Sequence, residues 1–577
     1  MSLNILRKHA SSLDALPDWM NEVDVHPVLK RIFLDRGISA PEQLVTHAQA
    51  LASYHQLLGV DTAIERLVTA LKKQQRIVIV GDFDADGATS TALCLLALTD
   101  MGAKNLDHVV PNRFEYGYGL TPQIVDVTHQ LGAQLIITVD NGISCHAGVQ
   151  HAKSLGIDVI VTDHHLPAET LPPADAIVNP NQPGCGFPSK SLAGVGVAFY
   201  LMAALRARLN DIGWFNDLGI APPKMAQYLD LVAVGTVADV VTLDHNNRVL
   251  VYQGLQRIRA GQCRPGILAL LEVAQRTPDL LTSTDLGFVI GPRLNAAGRL
   301  DDMSLGIACL LTGDKQHARS IAMELDRLNQ ERKQIEHSMQ QDVLASLPDI
   351  DTSSESLTNG VVLFQEGFHA GVIGIVAGRI KDKVGRPTII FAQENETELK
   401  GSARSISGVH IRDALALVDS QHPGLISKFG GHAMAAGLSI KKADLDTFSQ
   451  AFNQALAQWQ EQIQQVKAVY SDGELPSDCF SLQFAQQLKY ACPWGQGFPE
   501  PLFDGHFTLV QQRIVGEKHL KLLVATPEGE LVDAIAFNVD TSEWPNNSKQ
   551  SAHLAYKLDV NEFRGKRSLQ LLVEALL

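Results

Sequence analysis

Residues 76–87 read RIVIVGDFDADG. Four β-branched apolar residues, Ile77 to Val80, lead through Gly81 into three carboxylates at alternate positions, Asp82, Asp84 and Asp86. The apolar run predicts a short buried strand. Asp and Gly are common turn formers, so a solvated turn accounts for the acids if the stretch is taken alone.

Three later segments share the layout. LIITVDNG (135–142) leads into Asp140, DVIVTDHH (158–165) into Asp163-His164-His165, and LDLVAVGTVADVV (229–241) carries Asp239. Each is read as a β-branched strand ending in a carboxylate. Between them, ATSTALCLLALTDMG (88–102) and SCHAGVQHAKSLG (144–156) have the length of crossover helices. Alternating strands and helices predict an α/β fold around a parallel sheet. Ligands of such sheets bind beyond the carboxyl ends of the strands, so Asp82, Asp84, Asp86, Asp140, His164 and Asp239 should face one another. Crowded carboxylates repel and need protons or a cation. Oxygen-rich ligation with imidazole and no thiolate favours Mn²⁺ or Mg²⁺. Two such ions about 3.5–4 Å apart suit phosphoryl hydrolysis. Adjacent side chains at a strand end point different ways, so one of His164 and His165 is expected as a ligand and the other as a donor to phosphate or to a leaving oxygen.

The rest of the chain sets bounds. Its 577 residues exceed one core. Hydrophobic content of 45% and charged content of 19% are ordinary for a soluble globular protein. No apolar run has membrane-spanning length, and MSLNILRKHASSLD lacks the basic-then-apolar order of a secretory signal. Seven scattered cysteines without a C-x-x-C pair point to free thiols in a reducing cytoplasm. A net charge of −15 counts against a broad nucleic-acid-coating surface, though not against a local basic channel. The divisions expected are a lead-in subdomain over 1–60, a catalytic domain over 61–260, a helical connector over 261–346, a second α/β domain over 347–462 and a small β-barrel over 463–577. The connector includes a long helix with an apolar stripe of Ile321, Leu325, Leu328 and Ile335. LPDIDTSSESLTNG (347–360) reads as a linker. FTLVQQRIV, KLLVAT, VDAIAFNV and SLQLLVEAL are the barrel's strands.

DFDADG, VDNG, TDHH and GTVADVV together resemble the successive motifs of the DHH phosphoesterase superfamily. The Asp-x-Asp-x-Asp-Gly form and the chain length resemble its RecJ branch, the single-strand-specific exonucleases. The likeness covers nearly the whole chain beyond residue 50. It implies processive 5′-to-3′ hydrolysis of single-stranded DNA to 5′-mononucleotides, with roles in recombination and repair. It further implies two partners, a helicase that supplies single strands and a single-strand-binding protein, while separate domains around one cleft call for no more than a monomer.

Several segments are candidates for holding the strand. FGGHAMAAG (429–437), with His432, reads as a Gly-rich anion loop opening a helix. GSARS (401–405) puts Ser402 and Arg404 on one face of a strand, a suitable phosphate clamp. The resemblance assigns Ser402, Arg404 and His432 to the nucleic-acid backbone or terminal phosphate, in a DHH-associated domain closing over a narrow groove. VVPNRFEYGYG (109–119) interleaves Arg113 with Phe114, Tyr116 and Tyr118, a pattern suited to stacking on unpaired bases. GPRLNAAGRLDD (291–302) offers Arg293 and Arg299, one of which should grip a phosphate. The barrel, with basic clusters RIVGEKHLK and FRGKRS, resembles an OB-fold. The alternatives are a related phosphodiesterase acting on short oligonucleotides or cyclic dinucleotides, and a non-catalytic binding protein. The extra barrel and connector oppose the first; the complete carboxylate set opposes the second.

Overall fold

The computed structural model describes residues 4–8, 16–112, 118–346, 359–464, 468–563 and 565–577, with the side chains of 346, 464 and 563 excepted. Five strands make its first sheet: β1 (Ile77–Val80), β2 (Leu106–Val109), β3 (Leu135–Val139), β4 (Asp158–Thr162) and β5 (Ala176–Val178). All pairs are parallel, in the order β2-β1-β3-β4-β5. β1 and β3 are buried throughout, as strands covered by helices on both faces must be. The chain leaves β1 for β2 on one side and later returns to β3 on the other. That reversal opens a crevice beyond the carboxyl ends of β1 and β3. Asp82 and Asp140 follow those two strands.

Three helices frame the crevice: α1 (Ala85–Asp100), α2 (Gly194–Asp211) and α3 (Leu229–Ala238). α3 corrects the sequence reading. LDLVAVGTVA was expected to be a strand, yet it forms a helix with residues 229–236 all buried. A helix that is apolar all round has no polar face to reveal a 3.6-residue period, so a short one looks like a buried strand.

The chain divides into two compact units, one of Arg7–Asn329 with Ser471–Leu576, the other of Gln330–Tyr470 with Met1–Leu6 and Leu577. A 32-residue helix spans Lys315–Ser346. The smaller unit carries a mixed sheet of β6 (Val361–Phe364), β7 (Thr388–Gln393), β8 (Glu398–Arg404), β9 (Lys428–Gly431) and β10 (Ala435–Lys441), in the order β9-β10-β8-β7-β6. FGGHAMAAG does not open a helix, as expected, but turns the β9–β10 hairpin, in which Gly430 pairs with Gly437. Gly431 has φ +144°, a conformation that suits the hairpin and not a helix start.

In the larger unit a closed five-stranded barrel is built from β11 (Phe503–Val515), β12 (His519–Ala525), β13 (Leu531–Ala536), β14 (Ser551–Phe563) and β15 (Lys566–Leu576). Closure leaves no free sheet edge. Ion pairs tie the barrel and the segment before it to the N-terminal residues. Arg7 donates to Asp504 at 2.8 and 3.0 Å, and Arg36 donates twice to Asp472 at 2.7 Å. No helix among the described residues is long and apolar enough to cross a membrane.

Candidate metal centre and phosphate-binding residues

Every sequence-predicted acid of the first motif has a distinct position. Asp84 caps α1: its Oδ1 accepts from the Asp86 and Gly87 amides at 2.9 and 3.1 Å. Asp86, buried, accepts from the Gly194 and Val195 amides at 2.7 and 2.8 Å and so holds the start of α2. Asp140 is buried at the end of β3 with φ +62°, the left-handed region that asparagine and aspartate tolerate best among non-glycines. The start of α2 presses against it, since a Cβ on Gly194 would lie 2.7 Å from Asp140 Cβ. Asp239 follows the last turn of α3.

These side chains converge. Among the described residues, three groups have potential ligand atoms within 4.8 Å of one another: Asp82, Asp84 and Asp140; Asp86, His164 and Asp239; Asp140, His164 and His165. His164 Nε2 stands 3.1 Å from Asp140 Oδ1 and 3.4 Å from Asp239 Oδ2. Both carboxylate oxygens are buried and accept no hydrogen bond from the described residues. The Asp140 and Asp239 carboxyls are held well above the usual range, first by burial and then by the charges of Asp86 and Asp84. Asp86 is pushed up to about 7 by burial and by Asp84. Buried acceptor atoms without donors, amid mutually repelling carboxylates and imidazole, are a donor set that a hard divalent cation satisfies.

Asp163 has a different task. Its Oδ2 accepts from the Ile143 amide at 2.9 Å, and its Oδ1 meets the His164 amide and His165 Nδ1, both at 2.7 Å. With both oxygens engaged, it orients His165 rather than a cation. Burial opposes charge on His165, but the Asp163 hydrogen bond and charge outweigh it and raise the imidazole to about 9.

The sequence reading missed four amides that hold this site. Asn141 donates to the Val80 and Val139 carbonyls at 3.0 and 2.9 Å, joining the ends of β1 and β3. Asn179 donates to the His165 carbonyl at 3.0 Å and Asn181 to the His164 carbonyl at 2.6 Å. Asn295 Oδ1 accepts from the Ala85 amide at 2.7 Å. A usable sign of the middle pair was the Asn-Pro-Asn run directly after the apolar AIV of β5. We expect Asn181→Ala to raise the Mn²⁺ concentration needed for half-maximal activity about tenfold, the lower end of what support of a ligand contributes; a metal titration of the rate checks this.

The strand-holding candidates divide. Arg113, Phe114 and Tyr116 lie outside the described residues. Tyr118 stands at the centre itself, half exposed, edge-on to Phe83 at 6.0 Å and to His165 at 6.1 Å. Arg293 pairs with Asp326 at 2.8 Å and donates to the Val289 carbonyl, so its guanidinium is committed within the fold. Arg299 is half-buried on the same helix, α4 (Gly291–Leu300). In the smaller unit Ser402 and Arg404 do share a face of β8, with Arg404 Nη1 donating to Ser402 Oγ at 3.2 Å. A Cβ on Gly374, at the start of helix Ile373–Val384, would reach within 2.8 Å of Arg404 Nη2 and 2.9 Å of Ser402 Oγ. Burial lowers the Arg404 pKa, and among the described residues its guanidinium donates to the neutral Ser402 Oγ and Ala403 carbonyl. His432 lies in the β9–β10 turn, where its amide donates to the Ala435 carbonyl.

Comparison with known proteins agrees with this layout. The chain matches the DHH family, N-terminal domain, over residues 76–236, the DHHA1 domain over 357–458 and the RecJ OB domain over 471–575. It is 54% identical over 569 residues to the single-stranded-DNA-specific exonuclease RecJ of Salmonella typhimurium, covering 98% of each chain. Two solved structures of RecJ from Thermus thermophilus are similar throughout. The Mn²⁺ complex superposes with a TM-score of 0.81 at 29% identity, covering 100% of this chain and 79% of that one. The Mg²⁺ complex gives 0.74 at 28%, covering 100% and 78%.

Proposed function

The chain belongs to the RecJ family, and from that premise we propose that it degrades single-stranded DNA from the 5′ end to 5′-mononucleotides. The observation that carries the reading is the buried cluster at the switch point of the sheet, where Asp140 Oδ1 and Asp239 Oδ2 accept no hydrogen bond from the described residues. Mn²⁺ or Mg²⁺ is its cofactor, and similarity to RecJ structures bound to each supports both. When bound, the ions activate water and neutralise charge developing on the phosphate.

The chain's own residues do the rest. Asp82, Asp84, Asp86, Asp140, His164 and Asp239 are the proposed ligands, and three overlapping triads among the site's residues favour two ions. Asp163 fixes the Nδ1 side of His165, which leaves Nε2 to donate to a phosphate or leaving oxygen. Arg404 with Ser402, Arg299 and His432 are the proposed phosphate contacts. Arg404 supports this most directly, as a half-buried cation whose hydrogen bonds among the described residues go to neutral oxygens. Tyr118 is proposed to meet a base from its exposed edge of the centre. The family resemblance further supports a cytoplasmic protein acting in recombination and repair, partnered by a helicase and a single-strand-binding protein.

A time course on end-labelled DNA with Mn²⁺, Mg²⁺ or chelator tests the reading. Immediate mononucleotide release from the 5′ label of a single strand, and none from a blunt duplex or with chelator, is expected. Turnover of dinucleotides but not of long strands would move the chain to the small-substrate phosphodiesterases.

A further inference from the structure

Beside the end of α3, which leads into Asp239, lies a segment with an unusual turn. Residues Leu286–Ile290 form one turn of π-helix leading into α4. The wider turn inserts an extra residue and throws one side chain out of helical register. Leu286, Val289 and Ile290 are buried, whereas Phe288 is 80% exposed, the most exposed large apolar side chain among the described residues. A single exposed apolar residue is ordinary. What sets Phe288 apart is the position of its segment.

The segment 286–300 touches both carriers of the carboxylates. A Cβ on Gly287 would lie 3.3 Å from Val237 Cγ1, and one on Gly291 3.1 Å from Ala238 Cβ, just before Asp239. Further along, Asn295 accepts from the Ala85 amide, and Gly298 sits against the Phe83 carbonyl so closely that a Cβ would come within 1.9 Å of its oxygen. Phe288 is seven residues before Asn295, on the order of 10 Å along a helix. A second apolar side chain is presented at Asp239 itself. Val240 is 63% exposed at φ +61°, a strained conformation for a β-branched residue.

We propose that Phe288, with Val240 as a second apolar contact, is a stacking platform for a nucleobase of the strand at the metal centre. The proposal rests on the nuclease reading and adds a second base contact to Tyr118 and the phosphate contacts. Every base has an apolar face, so such a platform adds affinity without sequence preference. The phosphate contacts alone would not distinguish a strand with bases from one without.

Binding of oligothymidylate, and of an abasic strand of equal length, is measured by fluorescence anisotropy in the Asp140→Asn background. Phe288→Ala should weaken oligothymidylate binding about 5- to 30-fold and abasic binding hardly at all. Phe288→Trp should keep the affinity, and its added indole should be quenched by oligothymidylate and not by the abasic strand. If Asp140→Asn binds no strand and the wild type degrades none, the nuclease reading fails and the platform with it. If it binds and Phe288→Ala changes nothing, or the added indole is not quenched, the platform alone is overturned.

Discussion

Asp140→Asn is expected to slow strand degradation about a thousandfold or more, with a thermal midpoint unchanged or raised. Loss of a ligand forfeits several kcal/mol of charge stabilisation, and each 1.36 kcal/mol is tenfold in rate. The stability half has a separate cause. Burial and the charges of Asp86, Asp84, Asp239 and Asp82 all act against a charged Asp140. Removing its charge relieves that repulsion in the metal-free chain. Asparagine is the substitution of choice because the residue sits at φ +62°. Alanine would add backbone strain on the order of 1–2 kcal/mol and confuse the two effects. Single-turnover rates and thermal melts of the purified variant check both halves. A near-normal rate would remove Asp140 from the ligand set, and a collapsed fold would refute the electrostatic account.

Arg404→Met should act on affinity in the same decisive way and on stability in the opposite sense to most core changes. Burial disfavours the Arg404 cation, which among the described residues donates to Ser402 Oγ at 3.2 Å and the Ala403 carbonyl at 2.8 Å. A half-buried guanidinium bonded, among the described residues, only to neutral oxygens costs stability, and a bound phosphate would supply the countercharge. The expected loss in strand affinity is about 30- to 1,000-fold, as for truncating one partner of a buried charge pair. The salt dependence should fall by about one counterion, while the unfolding midpoint holds or rises. Arg404→Lys should recover only part of the affinity, because an ammonium lacks the planar fork. Binding isotherms at several salt concentrations decide the matter; an unchanged slope would assign Arg404 to structure alone.

Much of this centre was legible in the sequence because strand burial writes itself into composition. IVIV and LIITV are β-branched runs bounded by Gly and Asp, and each became a buried parallel strand with its acid at the carboxyl end. Asp239 was placed correctly among the acids and wrongly on a strand, since nothing in LDLVAVGTVA distinguishes a helix buried on every side. The Gly-rich FGGHAMAAG was equally ambiguous: glycines serve anion loops and tight hairpins alike, and pairing with β8 decided for the hairpin. Asn141, Asn179, Asn181 and Asn295 were not legible as site residues. Their work is to bond carbonyls and amides from other parts of the chain, and only the folded chain brings those partners near.

The claim at the centre of this account is that the clustered carboxylates hold the ions that cleave the strand. Mn²⁺ bound per chain, counted from the loss of the free-ion paramagnetic resonance signal, tests it in wild type and in Asp140→Asn beside the cleavage rates of the same samples. Two ions on the wild type, fewer on the variant, and parallel loss of cleavage are the predicted result. Equal ion binding by both chains, or wild-type cleavage undiminished in excess chelator, would contradict it.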